Sequence, residues 1–198
     1  MALTRSLVRA KAREYRENEP LYAVERDHVE MLPEAFAGGE YGWRDAEWVV
    51  QWCFRRYLGA YPDAERRATE EAFRDNDFEA VADAVTGAVD PDRETSDRLG
   101  RLTALAGVDV PVASAFLLFA FPDEYAAVGD REWRVLREAG ELDRPYPDRP
   151  SVEDYLAYHE VCRDHRDRFE IDAWTLYRAL WRLGEESEDG ASMADGSG

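Results

Sequence analysis

Residues 102–117 constrain this chain more than any other stretch, because they run from an amphipathic segment through Gly107 into an almost wholly apolar one. Leu102 and Leu105 continue a helical stripe begun at Leu99, and Gly107 is free to take the left-handed conformation of a tight turn. Pro111 opens the next helix where its missing N–H is no loss, and Pro122 ends it. Two helices joined by a hairpin are predicted, the second apolar on every side and therefore central to a core. Residues 110–121 form the longest apolar stretch and are too few to cross a bilayer.

The same period runs through the rest of the chain, and nothing alternates at period two, so the fold class read is all-α. Helices are predicted over 5–18, around Trp48, Val49, Trp52, Cys53 and Leu58 up to Gly59, over 62–75 and over 78–89. Pro91 opens the first arm of the hairpin, which as a whole spans about 93–121. Asp130 starts a helix with Trp133, Val135 and Leu136. Beyond the prolines at 145, 147 and 150, Ser151 and Asp154 form a capping box, and Asp172 caps a last helix striped by Trp174, Tyr177, Leu180 and Trp181. One helical domain over 1–184 is expected, followed by a disordered acidic tail over 185–198 that lacks core-forming residues.

A formal net charge of −18 argues against an anionic partner at first sight. The cations are 24 arginines with Lys11 as the single lysine, and Ile171 is the only isoleucine. This composition resembles that of salt-in halophiles such as haloarchaea, whose acidic surfaces keep their hydration in molar salt, where screening shortens the field to about 3 Å. The acidity then reports habitat rather than partner. Cys53 and Cys162 belong to no paired motif and read as buried thiols of a reducing cytoplasm. Residues 1–18 are Arg-rich and carry no apolar core of a signal peptide, so a cytoplasmic protein without a membrane partner is expected.

The run Leu105-Ala106-Gly107-Val108-Asp109-Val110-Pro111-Val112-Ala113 resembles the hairpin of the helix-hairpin-helix DNA glycosylase superfamily, written L-P-G-V-G, two variable residues, then V/T-A. The resemblance covers about residues 98–140. It implies two helical lobes around the hairpin element, duplex DNA as partner, and a phosphate gripped by the backbone of Gly107, Val108, Asp109, Val110 and Val112. Asp109 stands where the family has its second glycine. The family continues with V-D-x-H-V-x-R-V, in which the Asp supports positive charge on the sugar as the base leaves. This chain has Val128-Gly129-Asp130-Arg131-Glu132-Trp133-Arg134-Val135. Matching Val128, Arg134 and Val135 puts Gly129 at the catalytic position, and a one-residue shift puts Asp130 there. Both registers remain open, with Asp130 the candidate catalytic residue and Arg131 and Arg134 candidate DNA contacts. Asp130 reads equally as a helix N-cap.

The lysine of the lyase subclass falls on Pro111, so Schiff-base chemistry is not expected, and two cysteines cannot supply the four ligands of the family's iron–sulfur loop. His159, Cys162 and His165 recur every third residue but drift across one helix face without a fourth ligand, so neither a metal nor a cofactor is expected. Trp43, Trp48, Trp52, Tyr57, Trp133, Trp174 and Trp181 read first as core and second as walls of a base pocket. Arg55 and Arg56 read as a solvated helix face. The leading reading is a DNA-binding protein divergent from the glycosylase pattern at Asp109, Pro111 and Gly129. A non-enzymatic accessory or protein-interaction module and a monofunctional N-glycosylase using Asp130 are its alternatives.

Overall fold

The computed structural model describes residues 2–195, with side chains through residue 188, and within these residues the chain forms ten α-helices and no strand. They are α1 (Arg5–Asn18), α2 (Tyr22–Gly38), α3 (Trp43–Arg55), α4 (Asp63–Arg74), α5 (Phe78–Val89), α6 (Thr95–Leu102), α7 (Val110–Ala120), α8 (Asp130–Glu138), α9 (Val152–Phe169) and α10 (Ala173–Asp195). No helix among the described residues is long and apolar enough to cross a membrane.

The apolar run occupies the centre, as its composition requires. Every residue of α7 except Pro111 is buried, and α2, α3, α5, α6 and α9 all pack against it. α10 lies along α1 and α8 and also meets α9, with Leu176, Tyr177, Leu180 and Trp181 buried in the same core. Gly107 takes φ +73° in the turn between α6 and α7. A Cβ there would lie 2.5 Å from the Thr69 carbonyl oxygen and 2.6 Å from the Phe73 nitrogen, so the hairpin is pressed onto the backbone of α4. Asn76 locks this contact: its amide donates to the Ala106 carbonyl at 2.9 Å and accepts from the Ala106 N–H at 3.0 Å.

Several expectations are corrected. Helix α2 is absent from the sequence reading, because it begins at Leu21 without a side-chain cap and contains Pro33. The first hairpin arm starts at Thr95 rather than Pro91. Asp90 instead accepts from the Asp92 N–H at 3.1 Å in a turn, and buried Arg98 donates to the carbonyls of Ala88, Pro91 and Arg93. Leu58 is exposed beyond the end of α3 rather than part of its apolar face. Helix α10 continues to Asp195, past residue 185 where the expected tail begins. Carboxylates that read as solvating find cations instead: Glu185 meets Arg182 at 2.6 Å and Glu186 meets Lys11 at 2.8 Å. Residues 196–198 of the expected tail lie outside the described residues.

Residues 126–128 cross the interior outside any helix, so their backbone needs other partners. Tyr155 and Tyr158 of α9 donate to the Ala126 and Ala127 carbonyls at 3.0 Å each. Ser114 of α7 accepts from the Val128 N–H at 3.0 Å. These three bonds set where Gly129 and the start of α8 stand relative to the hairpin.

Candidate functional site

The start of α7, the start of α8, the end of α3 and residues 146–150 enclose a cavity of about 180 Å³. Its aromatic wall consists of Phe54, Tyr57, Tyr61 and Tyr146. The Tyr61 ring centroid lies 4.9 Å from Phe54 and 5.5 Å from Tyr57. Asp109, Asp130 and Asp148 supply carboxylates, and Pro111, Val112, Val128 and Gly129 are part of the lining with Arg56. Asp109 and Val112 from the hairpin thus meet Asp130 from the following segment.

Arg56 is buried at the back of this cavity. Its guanidinium carbon lies 4.7–5.8 Å from the rings of Trp52, Tyr57, Tyr177 and Trp181. Its Nε donates to the Cys53 carbonyl at 3.2 Å, and Nη1 donates to Tyr177 at 3.1 Å and to Glu132 Oε1 at 3.0 Å. Glu132 is sealed from solvent, and its Oε2 has no hydrogen-bond partner among the described residues. Burial raises the Glu132 carboxyl above its ordinary value while Arg56 opposes the shift. The backbone of Gly129 is extended at φ −156°, so the turn does not require glycine there. Space does: a Cβ would lie 2.7 Å from Glu132 Oε2, 2.8 Å from Arg56 Nη2 and 3.3 Å from the Tyr57 hydroxyl. One acceptor and two donor groups therefore converge beside the cavity wall.

Asp109 caps α7 by accepting from the Val112 N–H at 3.0 Å, with extended backbone. Desolvation by the cavity wall raises its carboxyl above the usual range against that hydrogen bond. Burial likewise raises Tyr57, Tyr61 and Tyr146, which keeps all three phenols neutral donors, and pushes the Cys53 thiol to about 12.

The other sequence candidates lie apart. Gly107 and Val108 border a shallow groove with Thr69 and Asp109, and Val110 is buried. The hairpin amides of Ala106, Val108 and Val112 are used within the chain, whereas that of Gly107 has no partner among the described residues. Asp130 is the first residue of α8 rather than its N-cap, which is Gly129; its side chain is half exposed and stands 3.5 Å from Arg134. Arg131 and Arg134 turn to α10, reaching Glu188 at 2.7 and 2.5 Å. Arg131 also lies over the Tyr57 and Trp181 rings at 5.0 and 4.4 Å.

Of the seven aromatic candidates only Tyr57 lines the cavity. Arg55 is exposed, but Arg56 is corrected from a solvated face to the buried centre of the site. Tyr61, Tyr146, Asp148 and Glu132 went unread. Glu132 lies four residues before Leu136, on the buried face of α8, and that spacing was the available signal. Cys53 and Cys162 are free buried thiols. His159 stacks on Tyr125 and Tyr155, and burial drops its pKa to about 4. Among the described residues no cluster of three His, Cys, Asp or Glu side chains is set to hold a metal ion. No protein-family model, curated protein or solved structure matches the chain.

Proposed function

We propose that this chain is a DNA-binding protein, similar to base-excision DNA glycosylases but divergent at their catalytic positions, that accepts one extruded base in the cavity behind the hairpin. The observation that supports the reading is the meeting of Asp109 and Val112 with Asp130 on one cavity of about 180 Å³. The resemblance draws on those two stretches separately, about 20 residues apart in the chain. An apolar cavity of about 150 Å³ holds a benzene ring, so this one takes roughly a single base. Phe54, Tyr57, Tyr61 and Tyr146 offer faces to stack on, and Arg56 and Tyr57 offer donors to a ring edge. Three carboxylates on the wall favour a neutral or cationic ring and keep phosphate outside. The arrangement as two lobes flanking a cleft belongs to the same proposal.

Fluorescence anisotropy in molar KCl tests it, with a duplex carrying an abasic-site analogue beside the undamaged duplex. Preference for the abasic duplex on the order of tenfold is expected, since the cost of unpairing a base is then absent. Equal or absent binding to the two duplexes overturns the reading. Base release by the wild type that is lost in Asp130→Asn would add N-glycosylase chemistry. The pairing of Asp130 with Arg134, and of Arg131 and Arg134 with Glu188, favours the accessory module instead, with abasic preference but no release.

A further inference from the structure

Carboxylates take up most of the cations in this acidic chain. Arg66, Arg74, Arg131, Arg134 and Arg182 each stand within 4.0 Å of at least one carboxylate oxygen. Arg9, Arg13, Arg16 and Arg178 do not, among the described residues, and these four line one groove of about 140 Å³ between α1 and α10. Buried Ala12 floors the groove and Thr175 edges it.

The arrangement is ordered by the helices. Positions 9, 13 and 16 share one face of α1 and extend over about 10 Å of its axis. Arg178 is fixed opposite them: Nε donates to the Trp174 carbonyl at 3.2 Å, and Nη2 donates to Thr175 Oγ1 at 3.0 Å. Its guanidinium carbon lies 5.4 Å from the Trp174 ring and 5.8 Å from the Tyr22 ring. The neighbouring carboxylates are engaged elsewhere. Glu170 binds Arg5 at 2.7 Å and turns only its carbonyl to Arg9, at 3.4 Å, while Asp172 accepts from the Thr175 N–H at 2.5 Å. Burial, and to a smaller degree Arg16, lowers the proton affinity of Arg178, although Asp172 pulls the other way.

We propose that the α1–α10 groove binds a ligand presenting several phosphates in a row, held by Arg9, Arg13, Arg16 and Arg178. Guanidinium forks match phosphate oxygens two at a time. A row of about 10 Å spans roughly three phosphates at the 3.4 Å rise of one nucleic-acid strand. The acidity of the remaining surface does not prevent this, because already at about 0.15 M salt charges more than about 8 Å away are largely screened. The same phosphate chemistry occurs in a nucleic-acid strand and in a soluble polyphosphate. Neither requires the cavity to hold a base.

The test uses the full chain with a fluorescein-labelled 20-nucleotide oligothymidylate, and separately with inorganic tripolyphosphate, from about 0.1 to 1 M KCl, with helicity followed by circular dichroism. Binding of at least one probe is expected, weakening as salt rises. Arg13→Glu combined with Arg16→Glu should weaken it on the order of tenfold at low salt and flatten the log–log salt slope for the oligonucleotide by about 1.4. Arg44→Glu combined with Arg137→Glu, a charge-matched change at exposed positions, should leave it unchanged. Oligonucleotide binding without tripolyphosphate binding assigns the strand, and the reverse assigns the soluble polyphosphate. The proposal is overturned if neither probe binds, if the groove variant binds as the wild type does, or if the charge-matched control loses as much. An abasic preference that Tyr61→Ala removes while the groove variant stays silent would sustain the cavity reading and end this one.

Discussion

Glu25 and Glu132 are both sealed from solvent, and the chain satisfies the two carboxyl groups by different chemistry. Glu25, in the first turn of α2, accepts from the Tyr15 hydroxyl at 2.8–2.9 Å and from Trp52 Nε1 at 2.7 Å, with no ion-pair partner among the described residues. Burial pushes its pKa up to about 7, against the pull of those hydrogen bonds. Glu132 has a cation, Arg56, at 3.0 Å, yet keeps one oxygen without a partner beside Gly129. The carboxyl deep in the core is fully satisfied, and the one next to the cavity is not. Buried polar atoms are as a rule paired, and Glu132 Oε2 is among the few described side-chain atoms that are not.

The largest effect expected of this contrast is at Glu132. Glu132→Leu leaves Arg56 charged and unpaired among four rings, which costs about 3–5 kcal/mol. For a chain of this length that is roughly 10 °C in Tm by thermal denaturation. Adding Arg56→Met should return most of the loss, because an apolar pair of similar volume replaces the ion pair. A single variant as stable as the wild type would break the comparison.

Glu25 carries the next largest effect, and it depends on pH. The unfolded carboxyl loses its proton near 4.5 and the folded one near 7, so the folded state holds an extra proton between those values. Stability therefore falls as pH rises through that window and levels off above it. Glu25→Gln should remove this slope and gain up to about 3 kcal/mol at pH 8, with little gain at pH 4. Denaturant titrations of both proteins at pH 4, 6 and 8 check the sign. Parallel curves would mean that Glu25 is held ionised.

Gly129→Ala sharpens the comparison from the cavity side. The new methyl forces Glu132 Oε2 and Arg56 Nη2 apart, at a cost of about 1–3 kcal/mol for overpacking. The expected signature is a tenfold or greater loss of abasic-duplex affinity with a Tm change smaller than that of Glu132→Leu. Smallest is Asp130→Asn. Its ion pair with Arg134 is exposed, so stability should change by no more than about 0.5 kcal/mol, and any larger loss in a melting curve would make Asp130 a structural residue.

How much of this was legible in the chain depended on whether local chemistry or distant partners decided the outcome. The hairpin could be read because Gly107 and Pro111 act within their own turn, and the Ser151–Asp154 capping box because both bonds close over three residues. Helix α2 could not, since Leu21 offers no cap and Pro33 reads as a breaker, while packing on α7 holds the helix. Asp109 and Asp130 were singled out for different reasons, and nothing local said that they share a cavity wall. Arg56 and Glu132 were the hardest: each sits in a charged stretch that reads as solvated, and they meet across 76 positions of sequence. Tyr146 stood in a proline-rich segment that reads as linker, and only the fold turns that segment into a wall.

Glu186 and Glu188 of α10 act as a clasp, and the consequence shows in what a truncation would do. Glu188 holds Arg131 and Arg134 on α8, and Glu186 holds Lys11 on α1. A truncation after Gly184 would remove those carboxylates, leaving Arg131 without an ion-pair partner among the described residues and Arg134 with Asp130 alone. The negative field at the cavity rim, where Asp109, Asp130 and Asp148 stand, would then weaken. Trimming the terminus would in this way change what the mouth admits without altering any residue that lines it.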